Sequence, residues 1–136
     1  MHAFIVDLTN KPGELARVTE AIAEKGINIE AFAGATAGGA GSVVLATNDE
    51  PGTRRALADA GCSSREVELV MASLDHVPGG LAAVARKLAD AGINIEAAMP
   101  TGMAAADKVM VSFATDNPTK AREILGASAP TGIGVG

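Results

Sequence analysis

The sequence predicts an α+β protein in which one βαββαβ unit is written twice. The first observation is an internal repeat. Residues 8–31 (LTNKPGELARVTEAIAEKGINIEA) and 74–97 (LDHVPGGLAAVARKLADAGINIEA) align without a gap and are identical at 13 of 24 positions. The second is patterning, because each copy passes from a short β-rich run into a helical period and back. The third is punctuation, since a Pro-Gly pair opens the first helical stretch of each copy and a Gly closes it.

The elements follow in order. Phe4–Leu8 and Leu69–Leu74 are β-rich and read as the first strand of each copy. Pro12-Gly13 and Pro78-Gly79 then start a helix, the Pro suiting its first turn, where a missing N–H costs nothing. Leu15, Val18 and Ile22, and their counterparts Leu81, Val84 and Leu88, recur at helical spacing and predict one apolar face. Gly26 and Gly92 end these helices. Ile-Asn-Ile-Glu begins the second strand of each copy, Gly38–Gly41 reads as a hairpin loop, and Ser42–Thr47 and Lys108–Thr115 are third strands. Pro51 and Pro118 open a second helix, with one extra residue expected in copy two. Ser64–Glu66 supplies a short fourth strand. The order is the ferredoxin-like split βαβ: an antiparallel sheet with two helices on one face. Expected boundaries are 1–66 and 67–136. In copy two the fourth strand is open: missing, supplied by the seam, or formed by Ile133 and Val135 in a tail from about 127.

Composition excludes several functions. Of 136 residues 48% are hydrophobic, but 28 are Ala, so bulky core side chains are few. A net charge of −5 with no Lys or Arg cluster lacks the footprint of a nucleic-acid binder, and three scattered Phe make no base-stacking platform. One Cys excludes a disulfide framework or thiolate cage. No apolar run is long enough to span a membrane, and MHAFIVDLTN meets polar residues too early for a signal peptide, so a cytoplasmic location is expected. Cys62 has no nearby His, and His76 has only Asp75 beside it, so neither catalytic residues nor a metal or other cofactor are expected. Gly132–Gly136 is glycine-rich like a phosphate loop, but no helix follows it.

Two duplicated features remain. One is the strand–Pro-Gly–helix turn, Asn10-Lys11-Pro12-Gly13 and His76-Val77-Pro78-Gly79. A helix N-terminus carries unpaired N–H groups and a partial positive charge, and a glycine lets a ligand approach, so a carboxylate is the natural guest. The turn is equally well explained as a tight connection in which Asn10 caps the helix. The other is Asn28 and Asn94, each wedged between two Ile. Either carboxamide can meet a ligand, or bond the helix end or a neighbouring loop.

Strand, x-x-Pro-Gly-x-Leu-Ala, amphipathic helix, Gly-Ile-Asn-Ile, strand resembles the ACT domain, a regulatory module that usually binds amino acids, over nearly the whole chain. The similarity is greatest to the serine-sensing members, but Leu8 and Leu74 replace their His ahead of the turn, so the resemblance does not specify serine as the ligand. The resemblance implies two such domains side by side, with ligands held between one module's turn and the other's Asn. Site one would then pair Asn10, Pro12 and Gly13 with Asn94; site two would pair His76, Pro78 and Gly79 with Asn28. The sites are expected to differ in affinity, the second being more pH-dependent because His76 follows Asp75. Units of about 66 residues bury only about 60% of their unfolded surface and are marginal alone, which favours pairing of the copies or a homodimer. The expectation is a non-enzymatic sensor of a small molecule, an amino acid, acting on a separate enzyme partner. The alternative is a ligand-independent regulatory subunit that works through protein contacts. A small enzyme on this scaffold is a third reading, against which the missing base and nucleophile argue.

Overall fold

The two Pro-Gly turns do not start helices in the way the sequence suggests. In the computed structural model, which describes residues 1–126, Gly13 is itself the N-cap of the first helix at φ 90°, and Gly79 repeats this at φ 89°. Pro12 and Pro78 therefore lie in the turn, outside the helices. Nothing stands within 4 Å of a Cβ placed on either glycine, so the left-handed backbone requires glycine there, not crowding.

The first unit contains β1 (His2–Thr9), α1 (Glu14–Ala23), β2 (Ile29–Ala37), β3 (Ala40–Thr47) and α2 (Glu50–Asp59), and takes in the start of β4 (Ser64–Asp75). The second is built on the rest of β4, with α3 (Gly80–Asp90), β5 (Ile95–Ala105), β6 (Lys108–Thr115) and α4 (Pro118–Leu125). By contact the units are His2–Val67, and Met1 with the residues from Glu68 on, so the division falls inside β4.

Each unit has the ferredoxin-like α+β arrangement. In the first, β3 pairs antiparallel with both β1 and β2, and the N–H of Asp7 on β1 donates to the Ser63 carbonyl at 2.8 Å, just ahead of β4. In the second, β6 pairs antiparallel with β4 and β5. The candidate fourth strand at Ile133 and Val135, the tail from 127 and the Gly132–Gly136 run lie outside the described residues.

The helix ends repeat closely. Gly26 and Gly92 are left-handed at φ 74°, and the following Ile27 and Ile93 donate their N–H back to the carbonyls of Ile22 and Leu88. This is the Schellman closure, which turns a buried Ile under the helix end. The N-caps Asp49 and Asn117 accept from the N–H of Gly52 and Lys120 at 2.9 and 3.1 Å.

The cores correspond, with one exchange. Phe4 faces Leu45 across β1 and β3, whereas Val70 faces Phe113 across β4 and β6, and all four are buried. Each core thus holds one Phe in the same cross-strand pair, on opposite strands. Val18, Ile22 and Leu57 close the first core, and Leu88, Ala121 and Leu125 the second. Leu15 and Leu81, expected on the buried helix face, are 45% and 56% exposed instead. They sit in the first turns of α1 and α3.

Copy two carries two extra residues, not one, because the N-caps Asp49 and Asn117 are 68 positions apart while the repeat offset is 66. Both are taken up in β5, whose pairing with β6 shifts between Pro100 and Gly102 and again between Met103 and Ala105. An edge strand can absorb such bulges, and a Pro, because only one side is paired.

Candidate functional site

A bulge makes the site. The pairing of β2 with β3 shifts between Ile29 and Ala31, so Ile29 and Phe32, three residues apart, both point to the helix-bearing face. Phe32 lies opposite the core residue Leu45 but beyond the cover of α1, and it is 63% exposed. Between α1 and the edge of this sheet are two cavities of about 400 and 350 Å³ that share Leu15, Phe32 and Val43, and so form one trough. Its inner end is apolar, with Ala16, Ile29 and Leu45. Its outer end reaches the β1–α1 turn, where Asn10, Lys11 and Glu14 line it and Gly34 leaves its floor open.

The turn is tied down by its own residues. Asn10 Nδ2 donates to the Gly38 carbonyl at 2.8 Å, and its backbone N–H donates to that of Gly39 at 3.1 Å, so Asn10 anchors the β2–β3 hairpin and does not cap α1. Glu14 reaches back to accept the Thr9 N–H at 3.0 Å and also accepts from Arg17 at 3.4 Å. The Thr9 N–H first, then Arg17, holds its carboxyl below the usual carboxylate range. Arg17 continues to Cys62, whose Sγ accepts from it at 3.4 Å while the thiol packs on the first core.

The second unit repeats the plan with different residues. A cavity of about 320 Å³ lies beside its turn, lined by Leu74, Asp75, His76, Val77, Leu81 and residues of β5 and β6. The His76 N–H donates to the Asp107 carbonyl at 2.8 Å, the same hairpin tie made by Asn10. Lys108 pairs with Asp75, an anion that holds its ammonium above the usual lysine range.

All eight residues singled out in the sequence are exposed. Asn10 and His76 line cavities in their own units; Pro12, Gly13, Pro78 and Gly79 shape the turns beside them. Asn28 and Asn94 line neither. Their backbones are clamped: the Asn28 N–H donates to Asn48 Oδ1 at 3.0 Å and its carbonyl accepts the Asn48 N–H at 3.1 Å. Asn94 and Asp116 make the same pair at 2.9 and 3.1 Å. Both Asn precede their strands rather than lying within them, and among the described residues neither carboxamide is engaged. Sequence reasoning missed Lys11, Glu14, Leu15 and Phe32. The available signal was the position of Leu15 and Glu14 directly after the turn.

One further cluster was not foreseen. His2, Glu50 and Glu66 bring a ring nitrogen and two carboxylate oxygens within 4.8 Å of one another. The three are exposed or half-exposed, His2 bonds Glu50, and Arg54 pairs with Glu66, so they are satisfied as a surface ion-pair cluster.

Comparison with known proteins agrees with the geometry. Residues 2–62 match the ACT domain family. Comparison with curated protein sequences finds no match. Among solved structures, protein BT0572 from Bacteroides thetaiotaomicron is 29% identical with a TM-score of 0.73, over 91% of this chain and 85% of that one. The regulatory subunit of aspartate kinase from Thermus thermophilus, ligand-free, shares the fold at 19% identity and a TM-score of 0.63, over 93% and 91%. That from Thermus flavus does so at 21% and 0.63, over 91% and 90%. No helix among the described residues is long and apolar enough to cross a membrane.

Proposed function

We propose that this chain is a non-catalytic regulatory protein that binds a small metabolite of the amino-acid class beside the Pro-Gly turn, and passes the signal to a separate enzyme partner. The observation that supports it most is the trough at the turn of the first unit, within the segment that matches the ACT domain. It is concave, of ligand size, mostly apolar, and bears a few convergent polar groups at one end. The fold is that of regulatory subunits of aspartate kinase, which supports a role as a separate subunit. Self-association as a homodimer belongs to this reading, as a way to cover exposed apolar residues such as Val77, Leu81 and Met103.

A thermal-shift screen of the twenty amino acids tests it. A ligand at 100 times its Kd stabilises by about 2.7 kcal/mol, a shift of several degrees. At least one amino acid is expected to raise Tm in this way. Flat melting curves across the set at 10-millimolar order would overturn amino-acid sensing and leave the ligand-independent subunit, working through the exposed apolar residues.

A further inference from the structure

We propose that the first unit binds a free α-amino acid with a bulky apolar side chain, its carboxylate at Lys11 and its ammonium at Glu14, and that the second unit does not, so the chain takes one equivalent. This rests on the amino-acid reading above and names which amino acids and which unit.

The trough is amphiphilic along its length. At one end Leu15 and Phe32 are large apolar side chains that folding leaves wet, 45% and 63% exposed, above the buried Val43 and Leu45. A bulky side chain laid there removes apolar surface from water on both partners. At the other end a cation, Lys11, and an anion, Glu14, line the same cavity. Each Glu14 oxygen has one acceptor position taken, by the Thr9 N–H and by Arg17, and retains another. Opposite charges beside one apolar slot match a zwitterion with an apolar tail. A peptide end carries only one of the two charges, so the complement is a free amino acid.

The second unit has lost both charges. At repeat offset 66, Val77 stands for Lys11, Gly80 for Glu14 and Ala98 for Phe32, while Pro100 fills the place of Gly34. The glycine is enforced: a Cβ at Gly80 would lie 2.1 Å from the Asp75 carbonyl oxygen, so no side chain fits without moving backbone. The polar side chains lining that cavity are Asp75, already paired with Lys108, and His76.

Isothermal titration calorimetry of the intact chain decides it, with L-leucine and L-phenylalanine as probes. L-serine lacks the tail, 4-methylpentanoate the ammonium and 3-methylbutylamine the carboxylate. Leucine or phenylalanine is expected to bind at one equivalent, with each control weaker by about tenfold or more. Lys11→Ala, Glu14→Gln and Phe32→Ala are each expected to weaken binding similarly, and Val77→Ala to leave it unchanged. Circular dichroism melts of these surface variants separate lost binding from lost folding. Two equivalents, tighter binding of serine than of leucine, or undiminished binding in folded Lys11→Ala and Phe32→Ala would each overturn the inference while leaving amino-acid sensing in place. No heat with any amino acid would overturn both.

Discussion

Thr53 separates the two copies, because Ala121, also fully buried, takes its place four residues past the N-cap in α4. The Thr53 side chain is fully buried, its hydroxyl lies 2.7 Å from that of Thr47, and it donates to the Asp49 carbonyl at 2.8 Å. These bonds lock the N-terminus of α2 onto the end of β3. A buried hydroxyl is worth its hydrogen bonds only while both partners remain. Thr53→Val, nearly isosteric, is expected to cost about 1–2 kcal/mol in urea unfolding followed by circular dichroism, since it removes the buried bonds of the Thr53 hydroxyl to Thr47 and to the Asp49 carbonyl. An unchanged midpoint would show the pair contributes nothing. Legibility at this scale was uneven. The place of the turn glycines was readable, but their left-handed conformation as N-caps was not, since in the sequence they signal only room for a ligand. Asn10 was not readable, because its partner is a carbonyl 28 residues away on a hairpin tip. Asn28 was read as an amide in need of a partner, but it lies outside the strand with its side chain in water.

Among elements, the informative pair is β1 with β3. The buried Phe sits on β1 in the first unit, at Phe4, and on β6 in the second, at Phe113. Cores tolerate exchanges that conserve volume and penalise those that do not. Phe4→Val is therefore expected to destabilise by about 2 kcal/mol or more, and Leu45→Phe alone to overpack. The double variant Phe4→Val/Leu45→Phe copies the second unit and is expected to recover most of the loss. A double-mutant cycle by chemical denaturation reads this directly, and additivity would refute it. Element order was legible because hydrophobic periods of two and 3.6 are local properties of the chain. The bulges were not: nothing local in Ile29–Phe32 says that two residues will face one across the strand. The bulge nevertheless decides that Phe32 joins the trough.

At the scale of the molecule, the copies differ in charge as well as shape. The two carboxylates held below their ordinary range, Glu14 by the Thr9 N–H and Glu50 chiefly by the His2 N–H, belong to the first unit. A depressed carboxylate contributes stability above its unfolded pKa, and that contribution is lost as pH falls through the folded value. Below about pH 4.3 the first unit is expected to lose stability before the second. Lys108, raised by Asp75, acts in the second unit with the opposite sign: its contribution is present below about pH 10.4 and lost as pH rises past the folded value. All three groups are only partly exposed, Glu14 least of them, so the effects are modest and weakened by salt. Methyl NMR against pH, with Ile22 and Leu88 as reporters of the two cores, follows them separately. Simultaneous acid loss at both reporters would contradict the assignment.

The duplication, the order of strands and helices, the helix ends and the place of the turn are all written in the amino-acid order, since each rests on local spacing, backbone conformation or plain self-similarity. That order did not determine which residues the turn would face. Leu15 has the same helical spacing as Val18 and Ile22, yet in the folded chain it borders the trough and stays open to solvent. Lys11, Glu14 and Phe32 converge because a strand bulge and a hairpin tie bring residues 11, 14 and 32 to one trough. Contacts between segments distant in sequence depend on how elements pack, and that packing turned a repeated motif into two unlike sites.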